Sequence, residues 1–225
     1  MNSALMNQVI VDTLQGITLA GGGPFGKAAL ARALRFAPVI VGADGGADRL
    51  LRLNAAPLAV IGDLDSITPA ARARLADRLF PIAEQESTDF DKALRSIKAP
   101  FVLGLGFAGA RLDHSLAVLN ALVRQPAQRC LILGPKDVTF LAPRDLTLNL
   151  PVGTRLSLFP MGAVTGTSSG LRWPIDGLRF APDGIIGTSN QVSACRVRLR
   201  FDADNMLIIL PLFALPAILA GFGLR

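Results

Sequence analysis

Short apolar runs alternate with amphipathic stretches over the first 141 residues, and this alternation limits the fold more than any other feature of the chain. Six apolar runs have the length and composition of strands: 17–20, 39–41, 58–61, 80–83, 101–105 and 131–133. Five stretches between them have helical spacing: 27–36, 47–53, 69–79, 90–97 and 112–123. Strands that alternate with helices form a mostly parallel sheet, which binds ligands beyond the C-terminal ends of its strands.

From about residue 146 the pattern changes to strands without intervening helices. The strand-like runs 146–150, 155–159, 170–173, 195–201 and 206–210 are separated by Gly, Pro, Ser and Asn. Short strands with such turns are typical of a small sandwich or barrel. We therefore predict the α/β fold class, with a mostly parallel α/β domain over residues 1–145 and an all-β sandwich domain over residues 146–225.

The composition excludes a disordered chain, because 51% of the residues are hydrophobic and only 18% are charged. The longest charge-free run, 206–224, approaches the ~20 residues of a membrane-spanning helix, but two prolines and two glycines interrupt it. The N-terminus lacks the basic residues and continuous apolar core of a signal peptide. We therefore expect no membrane segment.

The cysteines and the single histidine leave little material for several classes of site. Cys130 and Cys195 lie in apolar runs that match neither a disulfide framework nor a zinc site, which favours buried thiols in a reducing cytoplasm. His114 is the single histidine of the chain, which disfavours both a zinc site and a Ser-His-Asp hydrolase.

The glycine-rich loop at 21–28 nearly matches a phosphate-binding P-loop, with the pattern G-x-x-x-x-G-K. However, Ala28 stands where that motif needs Ser or Thr to hold magnesium, and Pro24 removes a backbone N–H group. A glycine-rich turn that lets phosphate approach the backbone is therefore favoured over a true P-loop.

Two aspartates directly follow the predicted strand 58–61. Asp63 and Asp65 are two residues apart, so an extended backbone presents both on one side. Adjacent carboxylates repel each other unless a cation intervenes, and magnesium with substrate phosphates is the natural occupant. The alternative is a polar turn before a helix with Thr68 as its N-cap and Pro69 at its first position. That alternative does not explain the paired aspartates.

Further charged residues follow two other predicted strands. Thr88 fits a helix N-cap and Asp89 the first turn, which is a sufficient local explanation of both. Together with the two earlier aspartates, however, Asp89 becomes a third carboxylate at the same edge, and Lys92, one turn on, could reach a phosphate. In the loop 104–114, Arg111 suits phosphate charge, whereas we expect His114 to cap or pack rather than to catalyse.

These motifs together resemble the thiamine pyrophosphokinase family, over about residues 16–210. The motifs that match, in order, are Ala-Asp-Gly-Gly-Ala at 43–47, Gly-Asp-Leu-Asp-Ser at 62–66, Ser-Thr-Asp-Phe at 87–90, Gly-Ala-Arg-Leu-Asp-His at 109–114, Ser-Gly-Leu-Arg-Trp-Pro at 169–174 and Gly-Thr-Ser-Asn at 187–190. The resemblance implies a homodimer that transfers the pyrophosphoryl group of ATP to the hydroxyl of thiamine, giving thiamine diphosphate and AMP. ATP, thiamine and Mg²⁺ are the implied ligands, with neither nucleic acid nor membrane as a partner.

The resemblance also implies which residues form the site. The implied magnesium ligands are Asp63, Asp65 and Asp89. The implied catalytic residues are Asp63, Asp65, Asp89, Arg111 and Asp113. The implied ATP-binding residues are Asp44, Gly45, Gly46, Gln85, Thr88, Lys92 and Arg111. The implied thiamine pocket is formed by Trp173, Ser189 and Asn190 together with the partner subunit's α/β domain. A tryptophan buried in the sandwich core is the alternative for Trp173.

The chain departs from the family pattern at two places. Gln85-Glu86 stands where many bacterial members have Lys-Asp, so phosphate contacts here would differ, and the segment 211–225 is more apolar than the family pattern.

The sequence also allows two other functions. A related pyrophosphokinase for another alcohol, such as a pterin, would share the aspartates and differ in the thiamine pocket. A basic nucleic-acid-binding protein would use the net charge of +6, including the alternating Arg196, Arg198 and Arg200.

Overall fold

The computed structural model describes residues 8–109 and 111–224. The chain divides into two compact units. Unit 1 comprises the described residues up to Ala121 together with Ala127–Leu133, and unit 2 comprises Leu122–Pro126 together with the described residues from Gly134. This division lies earlier than the expected one at 145/146, because the strand Asp137–Leu141 pairs with Met206–Pro211.

Unit 1 is built on a parallel sheet. Its strands are β1 (Val11–Asp12), β2 (Ile17–Ala20), β3 (Val39–Ala43), β4 (Ala59–Gly62), β5 (Leu79–Pro81), β6 (Ile97–Lys98), β7 (Val102–Leu105) and β8 (Cys130–Leu133). The sheet has the order β8-β7-β2-β3-β4-β5 with every neighbouring pair parallel, and β1 pairs separately with β6. Every residue of β2, β4, β7 and β8 is buried, as expected for a sheet covered on both faces.

The helices of unit 1 follow its strands. They are α1 (Lys27–Leu34), α2 (Gly46–Arg52), α3 (Pro69–Arg74), α4 (Asp89–Arg95) and α5 (Leu112–Arg124). Thr68 caps α3 by accepting a hydrogen bond from the Ala71 N–H at 3.3 Å, and Thr88 caps α4 in the same way from the Asp91 N–H. Both predicted N-caps are therefore confirmed. Because the strands are parallel, the loops that lead into these helices meet at one edge of the sheet.

Unit 2 contains two antiparallel sheets, and the predicted sandwich class is confirmed. Its strands are β9 (Asp137–Leu141), β10 (Asp145–Asn149), β11 (Arg155–Pro160), β12 (Val164–Ser169), β13 (Arg179–Phe180), β14 (Gly187–Gln191), β15 (Arg196–Phe201) and β16 (Met206–Pro211). One sheet has the order β10-β15-β12-β13. In the other sheet the strands of unit 2 pair in the order β14-β11-β16-β9. The alternating burial of β15 leaves its three arginines exposed, as predicted.

The apolar segment after β16 packs within unit 2. It forms the helix α6 (Leu215–Gly221), whose last residue approaches β10 so closely that an added Cβ would lie 2.8 Å from the Thr147 carbonyl oxygen. The Phe222 ring then contacts Phe140 edge to face, with 5.5 Å between ring centroids. No helix in the described part of the chain is long and apolar enough to cross a membrane.

Several local predictions are wrong. The helix expected over 69–79 ends at Arg74, because a 3-10 turn and strand β5 follow. The strand expected over 170–173 is reduced to an isolated bridge between Leu171 and Val192. Cys130 is buried as expected, and burial raises the pKa of its thiol, but Cys195 is exposed.

Candidate active site

A pocket of about 490 Å³ opens in unit 1 where the loops after β2, β3, β4 and β7 meet. Glycines form much of its wall, because these loops touch through their backbones. A Cβ on Gly23, for example, would lie 2.5 Å from the Gly106 carbonyl oxygen. The N–H groups of Gly21 and Gly23 donate to Leu105 and Gly106 at 2.8 and 3.0 Å. These two amides therefore bind the neighbouring loop and do not cradle phosphate as a P-loop would.

Three carboxylates cluster at the edge of this pocket. Asp44, Asp63 and Asp65 each place an oxygen within 4.8 Å of the others. Burial raises the pKa of Asp44 against the lowering effect of hydrogen bonds from Ser66 and Gly45, and the negative charge of Asp89 raises it further. Crowded carboxylate oxygens are the donors that Mg²⁺ and Ca²⁺ prefer, so the residues present fit a divalent cation.

Asp89 lies beside this cluster rather than within it. Its Oδ1 accepts the Asp63 N–H at 3.1 Å and a hydrogen bond from the Lys92 ammonium at 3.2 Å. The structure thus brings together the three aspartates named from the sequence, and it adds Asp44, which the sequence analysis placed with ATP.

Lys92 is the most buried charged side chain near the pocket, with 1% of it exposed. Its Nζ lies 3.0 Å from Asp63 Oδ2 and 3.2 Å from Asp89 Oδ1. Burial by itself lowers the pKa of Lys92, but the hydrogen bond to Asp63 and the two negative charges outweigh it, so the pKa is raised. Lys92 does not line the pocket. Its position makes it a counter-ion for two carboxylates, and its expected reach toward a phosphate stays a prediction.

The loop before α4 is held by a second ion-pair network. Arg95 lies 2.7 Å from Glu84 Oε1 and donates to Ser87 Oγ at 2.8 Å. Burial of Glu84 opposes its ionisation, yet the hydrogen bonds from Arg95 and Ser87 lower its pKa to about 2. The Gln85 side chain is one of the groups that lower the pKa of Asp63, and Thr88 lines the pocket. This network places Ser87 on the pocket wall, which the sequence analysis missed.

Arg111 and Asp113 form an exposed ion pair at the start of α5. Nη2 of Arg111 lies 2.5 Å from Oδ2 of Asp113, and this hydrogen bond lowers the pKa of Asp113 to about 2. Arg111 lines the pocket, whereas Asp113 does not. His114 is exposed and also lines the pocket, so the prediction that it packs is wrong.

Some pocket residues carried a weak sequence signal or none. Ser66 directly follows the aspartate pair, and Phe107 lies within the glycine-rich loop after β7. Gly45 lines the pocket as well, but Gly46 does not. An added Cβ on Gly46 would lie 1.9 Å from the Ala20 carbonyl oxygen, so packing against β2 explains that glycine.

In unit 2 the tryptophan named from the sequence is at the surface. Trp173 is 52% exposed, which makes the core alternative wrong. Asn190 is buried and makes two hydrogen bonds to the backbone of Trp173. Its Oδ1 accepts a hydrogen bond from the Trp173 N–H at 3.3 Å, and its Nδ2 donates to the Trp173 carbonyl oxygen at 2.7 Å. The Arg172 guanidinium lies 4.8 Å from the centroid of the indole ring. Asn190 therefore holds the backbone of Trp173 in place, and the Arg172 guanidinium packs against its ring.

Ser189 lies next to Asn190 on β14, with an unusual backbone conformation. Its φ is 62°, and its N–H donates to Ser157 Oγ at 3.0 Å. The three residues expected to bind thiamine are thus grouped within unit 2, while the aspartates and Arg111 are grouped in unit 1.

Two family models match the chain. "Thiamin pyrophosphokinase, catalytic domain" matches residues 30–133, and "Thiamin pyrophosphokinase, vitamin B1 binding domain" matches residues 145–206. Among curated relatives, "Thiamine pyrophosphokinase 1" of Oryza sativa is 29% identical over 212 residues, covering 76% of this chain and 80% of that protein. "Thiamine pyrophosphokinase" of Bacillus subtilis is 26% identical over 184 residues, covering 76% and 85%.

Solved structures show the same fold. A protein from Lactobacillus plantarum superposes with a TM-score of 0.74 at 27% identity, covering 88% of this chain and 98% of that one. Thiamin pyrophosphokinase from Candida albicans superposes with a TM-score of 0.75 at 15% identity, covering 88% and 89%.

Proposed function

The chain belongs to the thiamine pyrophosphokinase family, and on this premise we propose that unit 1 binds ATP with magnesium while unit 2 supplies the surface that recognises thiamine. The reaction of the family transfers the pyrophosphoryl group of ATP to the hydroxyl of thiamine and gives thiamine diphosphate and AMP. The matches to both family models do not favour a pterin pyrophosphokinase or a nucleic-acid-binding protein. The observation that carries the proposal is the carboxylate cluster at the edge of a glycine-lined pocket.

Asp44, Asp63 and Asp65 are the residues that would hold magnesium, with Asp89 beside them. The bound ion would neutralise charge on the phosphate oxygens of ATP. Lys92 holds Asp63 and Asp89 in place, because a buried ammonium group needs carboxylate partners. Gln85 is one of the groups that lower the pKa of Asp63. The glutamine that departs from many bacterial members therefore supports an aspartate of the cluster.

Transfer of a pyrophosphoryl group depends on charge neutralisation and in-line positioning more than on a strong base. The glycines of the pocket let phosphates approach the backbone, and Thr88 offers a hydroxyl on the pocket wall. Arg111 precedes α5 and is exposed, and its ion pair with Asp113 is exposed as well, so Arg111 can exchange Asp113 for a phosphate. Asp113, the further catalytic candidate, would then be released from its ion pair with Arg111.

Trp173 offers the aromatic face for thiamine. Its exposed ring can stack on the aromatic or cationic ring of the substrate. Asn190 acts by holding the backbone of that tryptophan, and Ser189 lies on the exposed side of β14. We place the enzyme in the reducing cytoplasm, where its free thiols are stable.

The active form is a homodimer in which each site takes its aspartates from one subunit and its tryptophan from the other. Mixing Asp65→Asn chains with Trp173→Ala chains should then restore activity to about a quarter of the wild-type level, because about half of the dimers are mixed and each holds one intact site. Subunit exchange is measured separately with differently tagged chains. Proven exchange without recovered activity would show that each site is built from one chain.

The function itself is tested by measuring ATP consumption with and without thiamine. AMP should form only when thiamine is present. Formation of ADP would indicate transfer of a single phosphoryl group, and consumption of ATP with a pterin alcohol in place of thiamine would favour the other pyrophosphokinase.

A further inference from the structure

Leu64 stands between two aspartates of the carboxylate cluster in a backbone conformation that leucine rarely adopts. Its φ is 65°, in the left-handed region, where a side chain is disfavoured because Cβ crowds the following carbonyl oxygen. This conformation turns the chain sharply between Asp63 and Asp65. A strained residue next to charged groups persists only where the surrounding structure holds it.

Two contacts hold Leu64 in this conformation. Its side chain is 3% exposed and packs in a cluster beneath the turn. The cluster contains Ala47, Val60, Leu64, Ile67, Ala71 and Leu75. The carbonyl oxygen of Leu64 accepts a hydrogen bond from Nη2 of Arg72 at 2.6 Å. One contact fixes the side chain and the other fixes the peptide group.

Two backbone N–H groups of the turn donate to the carboxylates themselves. The Asp65 N–H donates to Asp63 Oδ1 at 3.3 Å, and the Ser66 N–H donates to Asp44 Oδ1 at 3.4 Å. Both are long, and both use oxygens that a cation would also use. The Arg72 hydrogen bond is shorter and uses no carboxylate oxygen. It therefore holds the turn whether or not a cation is bound.

We propose that Arg72 is a positioning residue for the divalent cation. By holding the Leu64 peptide it keeps the carboxylates of Asp63 and Asp65 on one side of the turn, within reach of Asp44 and against their mutual repulsion. Arg72 does not line the pocket, so it acts through the turn and not on the substrate. This inference rests on the proposed metal site. Residues that orient ligands in this way commonly alter metal affinity when replaced.

The test compares Arg72→Met with Arg74→Met, which changes an exposed arginine on the same helix. Binding of Mn²⁺ to the protein alone is measured by electron paramagnetic resonance, and the Mg²⁺ concentration for half-maximal activity is measured with ATP and thiamine. For Arg72→Met we expect both constants to rise roughly tenfold, while kcat at saturating Mg²⁺ and the KM for thiamine stay near wild type. Arg72→Lys keeps one donor and should recover part of the Mn²⁺ affinity. Arg74→Met should bind Mn²⁺ like wild type.

Thermal unfolding of each variant separates a loss of fold from a loss of positioning. A lower kcat at saturating Mg²⁺ with unchanged Mn²⁺ affinity would overturn the proposal, because Arg72 would then act elsewhere. Unchanged constants in Arg72→Met would overturn it as well. Failure of the wild-type protein to bind Mn²⁺ would instead remove the metal site, and the role of Arg72 with it.

Discussion

Asp65→Asn should lower turnover by roughly 10²-fold or more, which is the usual scale for loss of a group that stabilises developing charge. Asp65 is exposed and hydrogen-bonds only within its own turn, from Ser66 Oγ at 2.8 Å, so the substitution should leave the fold intact. Turnover is measured at several Mg²⁺ concentrations, and the melting temperature is measured in parallel.

Asp77→Asn provides the matched control, because this aspartate of unit 1 is also exposed and lies outside the carboxylate cluster. It should retain wild-type turnover. Asp44→Asn and Asp63→Asn extend the test to the other members of the cluster, although Asp63→Asn also removes an ion-pair partner of Lys92. If all three cluster variants kept near-normal activity, the metal assignment would be withdrawn.

Trp173→Ala should raise the KM for thiamine about tenfold or more and leave the KM for ATP nearly unchanged, since stacking on an aromatic ring contributes ~1–3 kcal/mol. The ring is 52% exposed, so the melting temperature should change little. A buried tryptophan would instead lose ~3–5 kcal/mol of stability on truncation. Trp173→Phe should recover part of the affinity.

Phe213→Ala is the control for that prediction. Phe213 is a 62% exposed aromatic residue of the same unit, and its removal should not change the KM for thiamine. Equal effects of the two truncations on thiamine and ATP would show that Trp173 has no special role in recognition of the substrate.

Much of the fold follows from local patterns in the chain. Four strands of unit 1, β2, β4, β7 and β8, are fully buried, and β2 and β8 lie where the apolar runs predicted them. The strands β12 and β14 were not predicted, because they consist largely of Thr, Ser, Gly, Asn and Gln. These strands pair with strands that are distant in the chain, and their own residues show no alternating hydrophobic pattern that would predict a strand.

The site was predictable to a similar degree. The spacing of Asp63 and Asp65 and the N-cap at Thr88 are local features, and each could be derived from neighbouring residues. The contacts of Lys92 could not be derived in this way, because the helical spacing places it near Asp89 without showing that its ammonium also pairs with Asp63. The membership of Asp44 in the cluster likewise depends on its left-handed φ of 42°.

In the proposed reaction a two-phosphate unit moves from ATP to thiamine in one step. This transfer is followed with ATP labelled with ³²P at the β or at the γ position, incubated with the wild-type protein, Mg²⁺ and thiamine. We expect both labels to appear in thiamine diphosphate and unlabelled AMP to form in equal amount. Appearance of the γ label alone in the thiamine product, with ADP carrying the β label, would contradict it.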